Sequence, residues 1–277
     1  MKKFILISTL VATLFAGCTT QTKESAPAQP RKIAVQIYSL NRHTFEDAVK
    51  MLKDVDVDAV ECFPGQKLSK LYPKAQTNYT LNAEQRAYMK KLLKDAGLKM
   101  VSFGCTRANS EQEIEKICQF VKEMGGERVV TEAPVYWIPF WNKICKKYGL
   151  TMCLHHHATN SANQYWDTDV MNKYIAGYDN VRANPDPGHW SRSGIDPVKA
   201  LKRLDGKIAS IHFKDQREFN NIKNQPMPFG EGVLDVKGML AELDRQGYNG
   251  YFVIEYEDKW ENNIPEIKKC VEYLRTH

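Results

Sequence analysis

The 277-residue chain contains no apolar run long enough to cross a bilayer, no CxxC pair, no block of basic residues and no glycine-rich turn after its first strand-like segment. Each absence removes a class. The longest apolar run, Phe4 to Phe15, falls short of the roughly 20 residues a spanning helix needs. Seven cysteines at positions 18, 62, 105, 118, 145, 153 and 270 are scattered without zinc-ligand spacing. Cys62 and Cys105 would end neighbouring strands, but the sequence fixes no pairing. The 39 Lys and Arg against 33 Asp and Glu leave a net charge of +6 that is spread along the chain, so nucleic acid is not implied as a partner. Without a Gly-rich phosphate fingerprint, a dinucleotide-binding fold is weakened.

What is present begins with Met1-Lys2-Lys3, the apolar run, and then Ala16-Gly17-Cys18. Charge, length and small residues follow the grammar of a secretory signal peptide over residues 1–17. Leu14 to Cys18 resembles a bacterial lipobox, which implies cleavage before Cys18 and lipid attachment to it. Residues 18–32 then read as the lipidated Cys18 and a polar, Pro- and Ser-containing tether. The expected location is the bacterial cell envelope, held to the membrane by the N-terminal lipid and facing the periplasm. Residues 33–277 form a single α/β-sized domain.

One alternation runs through that domain. Ile33–Tyr38, Ala59–Phe63, Lys99–Cys105, Arg128–Ala133, Thr151–His157, Val181–Asp186, Ile208–Lys214 and Tyr251–Glu255 are short, often β-branched runs that predict eight buried strands. Helical spacing follows each, over Phe45–Lys53, Ala83–Asp95, Gln112–Met124, Pro139–Lys147, Val170–Tyr178, Pro197–Leu204, Val236–Gln246 and Pro265–Arg275. Eight strand-helix units predict a closed (β/α)8 TIM barrel, with a doubly wound open sheet as the competing topology.

Chemistry in such a barrel sits where strands end. The ends carry Tyr38, Glu61, Glu132, His155 and His157, Asp186 with His189, His212 with Lys214, and Glu255 with Glu257. One such group is usually structural, but a ring of them would be costly to bury without a function. In a strand, His155 and His157 share a side and His156 takes the other. His157 is the favoured proton-transfer residue, because imidazole titrates near working pH. His155, His189, Lys214 and Glu61 are candidate substrate contacts or supports. Trp137, Trp141, Trp166 and Trp190 lie near the loops after the fourth to sixth strands and are candidates for a sugar-stacking wall.

The segments Arg128–Glu132, Asp186-Pro187-Gly188-His189, Ile211–Asp215 and Val253–Glu257, with Phe229–Gly232 and Gly247–Gly250, resemble in order and spacing the sugar phosphate isomerase/epimerase family of xylose-isomerase-like barrels. The resemblance implies one divalent metal ion on Glu132, Asp186, His212 and Glu255. Glu132 and Glu255 of that set, with His157 from the strand alternation, are the candidate catalytic groups. Three carboxylates and one imidazole make a hard, anionic set that favours Mn, Mg or Co, with zinc also compatible. Where many relatives carry Glu or Asn near the end of strand five, this chain has His155-His156-His157, which leaves the base unassigned.

Such a metal stabilises charge that develops on a sugar oxygen as a neighbouring C–H is removed. Epimerisation, isomerisation and β-elimination all follow from that event. An exported enzyme meets unphosphorylated sugars, so the expected substrate is a carbohydrate, and the favoured reaction is elimination from a 3-keto-glycoside, with hydration of the product as an extension. A sugar isomerase or epimerase is the alternative. A sugar-binding lipoprotein without catalysis would not need so many acid-base groups, and a nuclease barrel would need more zinc ligands.

Overall fold

Segments rich in Val, Ile and Ala, too short for helices, form the parallel strands β1 Lys32–Gln36, β2 Ala59–Cys62, β3 Lys99–Thr106, β4 Arg128–Thr131, β5 Thr151–His155, β6 Val181–Asn184, β7 Ile211–Phe213 and β8 Tyr251–Ile254. The computed structural model describes residues 30–277, so the expected signal peptide and Cys18 lie outside the described residues. The sheet order is β6-β5-β4-β3-β2-β1-β8-β7. The ring closes between β6 and β7 through Ala183 N to Lys207 O at 2.8 Å, Ala209 N to Ala183 O at 3.1 Å and His212 N to Pro185 O at 3.0 Å. The closed barrel is the observed topology, and the open sheet is excluded.

Nine α-helices surround the ring among the described residues: α1 Phe45–Leu52, α2 Ala83–Asp95, α3 Glu111–Glu123, α4 Ile138–Tyr148, α5 Thr168–Ala176, α6 Pro187–Arg192, α7 Pro197–Arg203, α8 Val236–Arg245 and α9 Ile264–Thr276. Their starts follow from side-chain caps that accept otherwise unpaired N–H groups. Thr44, Ser110, Asp167, Asp186, Asp196 and Asp235 do so, and Asn82 forms a reciprocal capping box with Gln85. Helix α6 is the one the sequence reading lacks. Asp186 ends the strand by turning its carboxylate to the His189 N–H, with Pro187 at the first helical position.

Side chains alternate across the strands. Ile33, Val35 and Phe103 pack outward among the helices in the main core, where Phe103 meets Phe120 of α3 edge-on at 5.4 Å. Inside the ring, Ala34, Ala59, Val101, Tyr251 and Val253 form a separate apolar floor. Two residues further along β1, β2 and β8 come Gln36, Glu61 and Glu255. The barrel interior is therefore apolar at its base and polar above it, up to the mouth.

The loop between β7 and α8 contains a short antiparallel ribbon, Asp215–Gln216 with Pro226–Met227. Asp215 anchors this loop by accepting backbone N–H groups from Gln216, Gly230, Gly232 and Leu234 at 2.7 to 3.1 Å. A Cβ at Gly232 would lie 2.2 Å from Asp215 Oδ1, so the backbone can come this close only without a side chain. This accounts for the Phe229–Gly232 signature as a structural clasp.

Candidate active site

Strand β5 ends at His155, earlier than expected, yet His155 and His157 still share the mouth, with ring centroids 5.2 Å apart. His156 turns away and is fully buried. Its ring stacks on Trp190 at 4.8 Å, and its Nε2 accepts the Asp186 N–H at 3.0 Å. Burial lowers the His156 pKa to about 4, which keeps that nitrogen an acceptor. Trp190 is fully buried beneath it and donates Nε1–H to Trp166 O at 2.9 Å. Trp190 therefore supports β5 and does not contact substrate, and Trp141 is likewise fully buried.

At the centre, one ligand atom each from His155, Asp186 and His212 lies within 4.8 Å of the others. His155 donates Nδ1–H to Asn184 Oδ1 at 2.8 Å, which leaves Nε2 for the centre. Burial, then the neighbouring His212 and His157, bring its pKa down to about 3, so it is a neutral imidazole. Burial acts to raise the Asp186 carboxyl, but the Lys214 charge prevails and holds it well below the usual carboxylate range. Two atoms here, Asp186 Oδ2 and His212 Nδ1, are buried without a well-directed hydrogen bond, although Lys214 Nζ lies 3.0 Å from the former and Glu255 Oε2 3.2 Å from the latter. Buried polar atoms are rarely left so. Burial acts to lower the His212 pKa, but Glu61 and Glu255 raise it to about 10, and a cation in place of that proton would meet a neutral imidazole, an ionised carboxylate and the His212 Nδ1, a set that fits a divalent ion.

The other two residues that the resemblance places on the metal flank this group. Glu132 accepts from His157 Nδ1 at 2.6 Å and Asn163 Nδ2 at 3.1 Å, with Arg107 at 3.4 Å. Burial opposes its ionisation, yet the hydrogen bonds from His157 and Asn163 bring the Glu132 pKa to about 2. His157 itself is partly exposed. Burial pulls its pKa down, but the Glu132 hydrogen bond and charge outweigh that and leave it raised above 6.5. On the opposite flank, Lys214 is buried among Asp186 at 3.0 Å, Glu255 at 2.7 Å and Glu257 at 2.9 Å. Those carboxylates overcome burial and hold its ammonium charged. His189 sits between the flanks, 3.7 Å from Asp186 Oδ2 and with its ring 4.5 Å from that of His157. Burial keeps it neutral.

Glu61 does not reach the mouth. It is fully buried, and both its oxygens are engaged by Gln36, Ser102 and His212, so it is not a substrate contact. The sequence reading omits Gln36, Ser102, Asn163 and Asn184. Gln36 and Asn184 stand at the inward ends of their strands, so the two-residue period could have shown them. It also omits the edge-on cluster of Tyr38 with Phe63 and Trp260, at 5.0 and 5.9 Å, which unites the loops after β1, β2 and β8. Arg107, Glu132 and His157 line two adjoining lobes of the mouth, one reaching Asn78 and Tyr79, the other Asn160 and Asn163.

Comparison with known proteins follows this geometry. The profile of the xylose isomerase-like TIM barrels matches residues 49–277. An inosose dehydratase from Mesomycoplasma hyopneumoniae strain J is 26% identical over 208 residues, covering 60% of this chain and 69% of that protein. Among solved structures, an uncharacterised protein from Parabacteroides distasonis superposes with a TM-score of 0.72 at 27% identity, covering 89% of this chain and 98% of that one. A sugar phosphate isomerase/epimerase from the same organism superposes with a TM-score of 0.68 at 17% identity, covering 91% and 98%.

Proposed function

The chain belongs to the xylose isomerase-like TIM barrel family, and from that premise we propose that it is a metal-dependent carbohydrate lyase acting on a 3-keto-glycoside. The observation that carries the elimination is the inequality of the two flanks. His157 is the accessible acid-base group on one side, whereas the other side holds Lys214 fixed by three carboxylates. Epimerisation by proton transfer between faces needs a usable base on each. A syn elimination needs one. The similarity to an inosose dehydratase, whose name describes loss of water from a keto compound, supports the same class.

His155, Asp186 and His212, with Glu255 beside them, would hold the metal. When bound, it supplies Lewis-acid stabilisation of negative charge on the substrate's ketone oxygen and adjacent hydroxyl oxygen. His157 Nδ1 faces Glu132, so its Nε2 is the nitrogen left for substrate. It takes the C2 proton as general base, and Glu132 stabilises the imidazolium that forms. The C2–H electron pair becomes the C1–C2 double bond and the C1–O bond breaks. The imidazolium returns its proton to the departing oxygen, so the products are the aglycone alcohol and an unsaturated 3-keto sugar. Lys214 contributes fixed positive charge beside the metal carboxylates. In the cell we place the enzyme in the envelope, tethered through Cys18, on the signal-peptide grammar of residues 1–18.

Metal-loaded protein incubated with a 3-keto-glucoside in deuterated water tests the reading. The expected result is release of the aglycone. Absence of both release and deuterium at C2 refutes the lyase, and exchange at C2 without release assigns the alternative, an epimerase.

A further inference from the structure

Beneath the mouth lies a buried carboxylate that the proposed reaction never touches. Glu61 on β2 reaches across the barrel to β7, where its Oε1 accepts His212 Nε2–H at 2.7 Å. The same oxygen accepts from Gln36 Nε2 of β1 at 2.7 Å, and Oε2 accepts from Ser102 Oγ of β3 at 2.5 Å. Gln36 is fixed in turn, since its Nε2 also donates to Gly104 O at 2.9 Å and its Oε1 accepts from Tyr38 N at 3.1 Å. All four residues of this chain are at most 1% exposed.

With Nε2 tied to Glu61, His212 has one nitrogen left. That nitrogen, Nδ1, is buried without a well-directed hydrogen bond and lies 3.2 Å from Glu255 Oε2, in the residue that groups with Asp186 and His155 at the centre. His155 is held in the converse way, because its Nδ1 is taken by Asn184 and Nε2 is the nitrogen left over. The partners differ in kind: an amide orients His155, a carboxylate orients His212. A charged partner both fixes the ring and makes the opposite nitrogen a stronger donor.

We propose that Glu61 is a positioning residue that locks the His212 ring so that Nδ1 is presented to a divalent cation, with Gln36 and Ser102 holding Glu61 in that pose. The inference rests on the metal site of the proposed function, but it concerns cation binding and needs no substrate.

Wild-type protein, Glu61→Gln and Glu61→Leu, stripped with a chelator, are titrated with Co(II) by calorimetry, and the absorption spectrum of the bound Co(II) is recorded. Glu61→Leu is expected to bind about 10- to 100-fold more weakly with a changed spectrum. Glu61→Gln keeps an oxygen for His212 and turns its NH2 to the Ser102 oxygen, so it recovers most of the affinity and the wild-type spectrum. Unchanged affinity and spectrum in Glu61→Leu overturn the proposal, as does equal weakness of both variants, which would mean that orientation is not the cause. Should Glu61→Leu fail to fold, Ser102→Ala takes its place: a several-fold loss supports the proposal and none refutes it. A wild-type protein that takes up no Co(II) overturns the metal reading as well, an outcome distinct from insensitivity to Glu61.

Discussion

His157 shows how two opposed forces set a working group. Burial acts to discharge the ring and Glu132 acts to charge it, and the balance leaves the pKa raised above 6.5. The proton-accepting form therefore grows as pH rises through a midpoint above that value, and so does activity. In Glu132→Gln the main effects opposing burial are lost and Asp186 alone still raises the ring, so NMR titration of His157 in the metal-free protein is expected to give a midpoint below that of the wild type. His157→Gln is expected to lower kcat by about 10²- to 10⁴-fold while cation affinity, read by calorimetry, stays within about threefold, since an outer-shell loss would exceed that. Lys214 poses the converse case. Replacing it by Met leaves Asp186, Glu255 and Glu257 facing one another without their shared cation. Urea unfolding of metal-free Lys214→Met is expected to show a loss of about 3–5 kcal/mol, much of it restored by adding Mn(II), because the added cation replaces the missing charge.

At the scale of elements, the strands and eight of the helices were legible because period and capping residues are local signals. Asn82 with Gln85 announces α2, and Asp196-Pro197 announces α7. Helix α6 was hidden because Asp186 and His189 read equally well as a strand end and as a site motif, while the structure uses Asp186 for capping too. The site was legible as a ring of strand ends, including the shared side of His155 and His157. Its internal grouping was not, since the approach of His155 to His212, rings 4.6 Å apart, depends on barrel closure. The burial of Glu61 and Trp190 depends on neighbours distant in sequence and left no local trace. The clasp at Asp215 belongs to this scale as well. Gly232→Ala forces a Cβ against the carboxylate and is expected to cost about 1–3 kcal/mol, measured as a lower urea midpoint with an unchanged slope.

For the whole molecule, the proposed envelope location rests on the signal-peptide and lipobox reading of residues 1–18. Expressed in bacteria fed radiolabelled palmitate, the full chain is expected to carry label and partition with membranes. Cys18→Ala removes both if the lipobox reading is right, and label retained in that variant sinks it. The barrel itself gathers its chemistry from both ends of the sequence: Gln36 and Glu61 come early, His212 and Glu255 late.

Strand β8 inserts between β1 and β7, so the order of synthesis has a consequence for the site. Until Tyr251–Ile254 leaves the ribosome, β1 and β7 present open edges, and no sheet pairing joins β1 to β7 through that gap. The pairing that joins them spans nearly the whole domain, which makes it a late and slow contact to form. His155, Asp186 and His212 belong to strands already made by then, so what the last strand adds to the centre is Glu255, 3.2 Å from His212 Nδ1.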